Sequence, residues 1–254
     1  IYLFSFLKKN KKKKIAIMIS GQLRNHKKGS NFIDKFFRKN FDIEIFISTW
    51  DKFGISVRSE ERSANHRMAL KNEQNQVTEE YLKDIYKTNN ILIESQDDLI
   101  SDEFKNVKCP EELRLREPIA YKGSIPMFYQ MHKCFEMQKN FQTKNIYLRM
   151  RPDIYLIDQP EKLLHFFEKF NENTLYYSSY KITKYHQVSD KFAFGDYETL
   201  KYYSSVWEKL NDYWKNIDYS NFWDIPVGER LVNIHMRKSN FKLEDIEVKL
   251  EVDY

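Results

Sequence analysis

At 254 residues the chain can bury the core of one large domain or of two tightly joined halves. Its 41% hydrophobic and 31% charged residues exclude a disordered or membrane-spanning chain. The net charge of +5 sits largely in one run, Lys8 to Lys14, which argues against a nucleic-acid-binding surface spread over the molecule.

Residues 1–14 join "IYLFSFL" to that lysine run. They read as a solvated linker or, more sharply, as a membrane-proximal segment touching an anionic bilayer surface. Ile1 to Leu7 is too short to span a bilayer, and an opening Ile rather than Met suits an excerpt of a longer protein. "KIAIMIS" is then a buried strand closed by "SGQLRNH". "NFIDKFFRKN" has helical spacing at Phe32, Phe36 and Phe37, and "FDIEIFISTWD" is a second strand. Together these make a β-loop-α-β unit, the usual opening of an α/β nucleotide-binding sheet. Lys52 to Gln76 reads as a polar loop or exposed helix, "VTEEYLKDIY" as a helix and "NILIES" as a third strand.

After an irregular charged stretch, "SIPMFYQMHKCFEMQKNFQ" is a strong helix with Ser124 as N-cap and Pro126 in its first turn. Gln130 and Lys133 lie on one of its faces and Phe128, Met131 and Phe135 on another. "NIYLRMRPDIYLI" is the central strand. "EKLLHFFEKF" is helical, "TLYYSSY" a strand, and "ETLKYYSSVWEKLNDYW" one long amphipathic helix. "GERLVNIHMRKSN" is a further helix, and "IEVKLEV" alternates as an edge strand does. The order predicts an α/β fold with a mixed sheet, parallel in its first half and flanked by helices. Ligands of such sheets bind beyond the carboxyl ends of the strands. Four segments should converge there: Gly21 to Asn25, Trp50 to Phe53, Arg149 to Asp153, and the region of Asp190.

These segments hold the candidate chemistry. Gly21 lets backbone approach a ligand and Arg24 can pair with a phosphate; no G-x-G-x-x-G or Walker motif is present. Trp50 can stack on a base and Asp51 can accept from a ribose hydroxyl, or the two simply cap the core and a turn. Arg149, Arg151 and Asp153 fall on one face of a strand. They either pair with one another or neutralise a diphosphate while Asp153 ligates a cation. Asp190, and Glu229 at a helix start, are candidates for a base that deprotonates a sugar hydroxyl. The two cysteines, Cys109 and Cys134, and the six histidines lack zinc-ligand spacing and suit a reducing cytoplasm.

"IAIMISGQLRN", "FDIEIFISTWD", "YQMHKCFEMQKN", "YLRMRPDIYL", "DKFAFGD" and "GERLV", in this order, resemble the WavE-type lipopolysaccharide synthesis proteins and related bacterial surface-glycan glycosyltransferases. The resemblance runs from about Lys14 to about Asn240. It implies one GT-A-like domain over 15–254, with a donor nucleotide half at 15–157 and an acceptor half at 158–254. It also implies transfer of a sugar from a nucleotide-sugar donor to a glycan or glycolipid acceptor. Gly21, Arg24, Trp50 and Asp51 would fall on the donor side, with Gln130, Lys133, Arg149 and Arg151 completing the nucleotide-sugar contacts. Asp190 and Glu229 would stand near the acceptor. Arg151 and Asp153 would occupy the place of the D-x-D of such enzymes, and Arg151 replaces its first acid. Mg²⁺ or Mn²⁺ at Asp153 therefore competes with a metal-independent route in which arginine neutralises the leaving diphosphate. No nucleic-acid partner is implied, and the expected location is the cytoplasm, peripheral at the inner membrane. The competing reading is a non-catalytic glycan-binding or scaffolding domain.

Overall fold

The computed structural model describes residues 12–54, 76–95, 107–108, 110–116, 118–138, 146–180, 187–215, 217, 219–220, 225–226 and 228–252. Most of the polar segment Lys52 to Gln76, the start of the lysine run and Cys109 lie outside the described residues.

Short apolar, β-branched runs make the strands. The first four are β1 (Lys14–Ser20), β2 (Asp42–Trp50), β3 (Asn90–Glu94) and β4 (Ile146–Met150). They lie side by side in the order β3-β2-β1-β4, all parallel. β7 (Gln187–Gly195) is antiparallel to β4 and to β6 (Thr174–Tyr180), and β8 (Lys242–Asp245) closes the seven-stranded sheet parallel to β6. The mixed α/β sheet, parallel in its first half, is thus as the sequence predicts. β1 and β4 are buried almost throughout because helices cover both faces.

Strand alternation divides the core in two. Ile15, Ile17, Ile19, Leu148 and Met150 face Phe32, Phe36 and Phe37, which lie in helix α1 and its π-helical continuation, and Phe167 of helix α5 (Pro160–Glu168). Helix α1 (Lys27–Phe32) runs on as a π-helical segment, Ile33–Arg38. On the other face, Ala16, Met18, Phe46 and Tyr147 meet Phe128, Met131 and Phe135 of helix α4 (Pro118–Met137). The remaining helices are α2 (Glu79–Tyr86), α3 (Glu111–Arg116), α6 (Tyr197–Ser204), α7 (Val206–Trp214) and α8 (Gly228–Arg237).

Several boundaries differ from expectation. The central helix starts at Pro118, a residue suited to a first turn, so Ser124 is not its N-cap and Pro126 sits in its interior. The central strand stops at Met150, turns at Arg151–Asp153, where Pro152 has no N–H to offer a ladder, and resumes as β5 (Ile154–Leu156). β5 pairs with β9 (Leu250–Val252) in a separate two-stranded sheet, so only the end of "IEVKLEV" is strand. Arg149, Arg151 and Asp153 therefore do not share one strand face. The long helix breaks at Ser205, whose hydroxyl and N–H both bond the Tyr202 carbonyl, at 2.8 and 3.0 Å. Lys12 and Lys13 are not idle linker residues. Lys12 Nζ donates to the Lys39 carbonyl (2.7 Å) and Lys13 Nζ to the Phe167 and Glu168 carbonyls (3.0 and 2.9 Å), ends where helices expose acceptors. No helix among the described residues is long and apolar enough to cross a membrane.

Candidate functional site

Strand order reverses at β1: the chain moves to β2 on one side, and β4 later enters on the other. Ligands of open α/β sheets sit at such a point, beyond the carboxyl ends. That edge carries Ser20–Gly21, Trp50–Asp51, Glu94, Met150–Arg151 and, from antiparallel β7, the segment of Asp190. The four segments singled out in the sequence thus meet at one edge.

Gly21 adopts φ 115°, a left-handed conformation that favours glycine, and the place of a Cβ there is open for 4 Å. Its N–H donates to the Ser48 carbonyl (3.1 Å), and its carbonyl accepts from Thr49 Oγ1 (2.8 Å). Beside it, Arg149 is 1% exposed, the largest fully buried side chain among the described residues. Its Nε donates to Ser20 Oγ at 3.3 Å, Nη2 reaches the Ser20 carbonyl only at 3.5 Å, and Nη1 is buried with no partner. No carboxylate pairs with it among the described residues. Two carboxylate oxygens at the same edge are also buried and unpartnered, Asp190 Oδ1 and Asp51 Oδ1. A bulge in β7 accompanies Asp190: from the Tyr177–Ala193 pair to the Ser179–Val188 pair, β6 advances two residues while β7 advances five. Bulges re-aim side chains and gather near active sites.

Arg151 and Asp153 face each other. Arg151 Nε meets Asp153 Oδ1 at 3.0 Å and Nη2 meets Oδ2 at 2.7 Å, a bidentate pair with Asp153 1% exposed. Both oxygens of the one acid in the D-x-D position are therefore occupied by a cation. No cluster of three or more His, Cys, Asp or Glu suited to a metal exists among the described residues. This donor set does not fit Mg²⁺ or Mn²⁺, which take several oxygen ligands.

Other predicted donor contacts are packed rather than open. Trp50 is 2% exposed and stacks on Tyr129 (6.1 Å, 13°), which in turn meets Trp207 edge-on at 5.2 Å. Its indole serves as a cap on the core. Gln130 is buried between Ser48, whose hydroxyl donates to its carbonyl, and Glu94, to which its amide donates at 3.4 Å. Tyr129 OH donates to the other Glu94 oxygen at 2.9 Å. Lys133 lies over the Tyr129 ring, 5.1 Å from its centroid. Arg24 is partly exposed in the β1–α1 loop. Glu229 falls in α8, with its side chain outside the described residues.

The sequence did not mark Ser20, Glu94 or His26 as neighbours of this edge, because their partners lie far away along the chain. Burial pushes the Cys134 thiol up to about 12, with Arg149 opposing, so it is an inert neutral group. His26 donates from Nδ1 to the Arg24 carbonyl (2.8 Å), which leaves Nε2 to accept from Tyr81 OH (2.8 Å), while its ring stacks on Phe53. Burial lowers its pKa, favouring this neutral form. The loop bearing Arg24 is thereby pinned to α2.

No protein-family model and no curated protein matches the chain. Among solved structures it is similar to the apo-form glycosyltransferase GlyE of Streptococcus pneumoniae, at 12% identity and TM-score 0.44, over 92% of this chain and 45% of that one. An active-site mutant of LgtC is similar at 11% identity and TM-score 0.41, covering 91% of this chain and 72% of that one. Mouse xyloside xylosyltransferase 1 follows at 7% identity and TM-score 0.41, covering 89% and 81%. The chain thus spans less than half the length of GlyE.

Proposed function

We propose that this chain is a GT-A-like glycosyltransferase that moves a sugar from a nucleotide-sugar donor to a bacterial surface glycan such as lipopolysaccharide or capsule. One observation carries the reading: a buried guanidinium, Arg149, without a counter-charge among the described residues, where the strand order reverses between β1 and β4. An unpaired buried charge is strongly destabilising, and a diphosphate entering at the open space beside Gly21 would supply the missing anion. The sequence resemblance to surface-glycan glycosyltransferases supports the same reading.

In the proposed reaction an acceptor hydroxyl oxygen attacks the anomeric carbon. Its proton passes to Asp190, whose Oδ1 has no partner among the described residues; Glu229 is the other candidate base. The bond from the anomeric carbon to the diphosphate breaks, and the nucleoside diphosphate leaves with the electron pair, its charge balanced by Arg149. Arg24 and Asp51 flank the donor. Arg151 and Asp153 hold the turn that frames this edge. Residues 1–14 would bring the protein to the cytoplasmic face of the membrane.

The test is thermal unfolding with UDP, GDP, CMP and ADP, each with and without Mn²⁺. One nucleotide should raise Tm without needing Mn²⁺, and Arg149→Met should abolish that rise. Silence across the panel would remove the enzyme reading. It would favour a non-catalytic glycan-binding domain, for which the closed Arg151–Asp153 pair is the supporting observation.

A further inference from the structure

Between α1 with its π-helical continuation and the β5–α5 segment lies a groove of about 590 Å³, within the size range of small-ligand sites. Its two walls carry opposite charges. Lys28, Lys35 and Lys39 line the helical wall, and Asp158 and Glu161 line the other. Lys35 and Lys39 make no ion pair among the described residues, although both acids border the same groove. Lys35 lies in the π segment, a wider turn frequent at functional sites. The floor is apolar and aromatic, with Phe36 and Tyr155.

One end of the groove lies beside the Arg151–Asp153 turn. Lys28 Nζ sits 4.8 Å from the centre of the Tyr155 ring, and Tyr155 follows closely on Asp153. Gly29 holds this end against the turn, since a Cβ there would stand 2.0 Å from the Pro152 carbonyl oxygen. From Lys28 the helix runs back along the sheet to Lys39.

We propose that this groove binds an anionic oligosaccharide, one carrying carboxylate or phosphate groups along one edge and hydroxyls along the other. The lysine wall takes the anions, the acidic wall accepts from hydroxyls, and the aromatic floor supports the rings. Calling this saccharide the acceptor rests on the glycosyltransferase reading; the binding itself does not.

The experiment is calorimetric titration of the whole protein with trigalacturonate, with neutral maltotriose and with inorganic phosphate. Trigalacturonate should bind roughly tenfold or more tightly than either, and more weakly at high salt. Lys35→Gln/Lys39→Gln should lose that preference while keeping the nucleotide-induced rise in Tm, since neither lysine lies at the strand edge. Equal binding of maltotriose, equal binding of phosphate, or an unaffected double variant each overturns the proposal. So does tighter binding to phosphatidylglycerol vesicles that the same variant abolishes, because the face would then belong to a lipid surface. A nucleotide panel without response, beside an intact trigalacturonate titration, removes the donor reading and leaves the groove standing.

Discussion

Arg149 holds its guanidinium inside the protein, with Ser20 its hydrogen-bond partner among the described residues. Residues kept for stability lose it when removed; a residue kept for a ligand does the opposite. Arg149→Met, similar in length and free of charge, should therefore raise the Tm of the ligand-free protein while eliminating nucleotide binding. A fall in Tm with nucleotide binding intact would make Arg149 a structural residue. Arg151 and Asp153 make the contrasting case, because each satisfies the other. Asp153→Ala leaves a guanidinium facing a buried void and should cost about 3 kcal/mol in a denaturant melt. Added Mn²⁺ should leave the wild-type melt unchanged, because Arg151 already occupies the carboxylate.

Among elements, the turn at Arg151–Asp153 depends on helix α1. Gly29→Ala would drive a methyl group into the Pro152 carbonyl, a backbone atom that cannot swing aside. The expected loss is roughly 1–3 kcal/mol of stability, with weakened trigalacturonate binding as the turn and Tyr155 shift. Unchanged melting and titration would mean that α1 and the turn do not seat on one another. This contact also shows what the sequence could reveal. Strands β1, β2 and β3 are local apolar runs and were legible, as was their meeting at one edge, because parallel order follows from β-α-β alternation. The break after Met150 was visible only in part: Pro152 can mark where a strand leaves its sheet, but the apolar run on to Leu156 reads as the same strand continuing. The split at Ser205 was hidden as well, since the apolar period continues across it while a side-chain hydrogen bond ends the helix. Distant partners were beyond reach, since nothing near Arg149 in the chain announces Ser20; pairing of Arg151 with Asp153 was one of the two readings open from the sequence, although along a strand face rather than across a turn.

For the whole molecule, His235 links three helices. Its ring stacks on Tyr202 of α6 (4.2 Å, 12°), Nε2 donates to the Tyr202 carbonyl (2.7 Å), and Nδ1 accepts from Tyr213 OH of α7 (2.7 Å). Burial drives its pKa down from 6.5 to about 4, with Lys209 and Lys238 adding to the effect. Below pH 6.5 the unfolded chain takes up a proton that the folded chain refuses, so stability falls as pH drops toward about 4 and this loss then levels off. The loss is roughly 3 kcal/mol at most. Melting curves across this window should fall steeply for the wild type and less so for His235→Gln; parallel curves would show that His235 is not the group responsible.

Lys12 and Lys13 place a further constraint on reach. They fasten the start of the described chain to the amino-terminal edge of the sheet, and the strand-edge site lies at the other pole, beyond β1. A seven-residue strand is about 20 Å long. Whatever acts on the chain at Lys12 and Lys13 is therefore about a strand's length from the strand-edge site, so a contact made at one pole reaches a ligand at the other only through β1 and the helices packed on it.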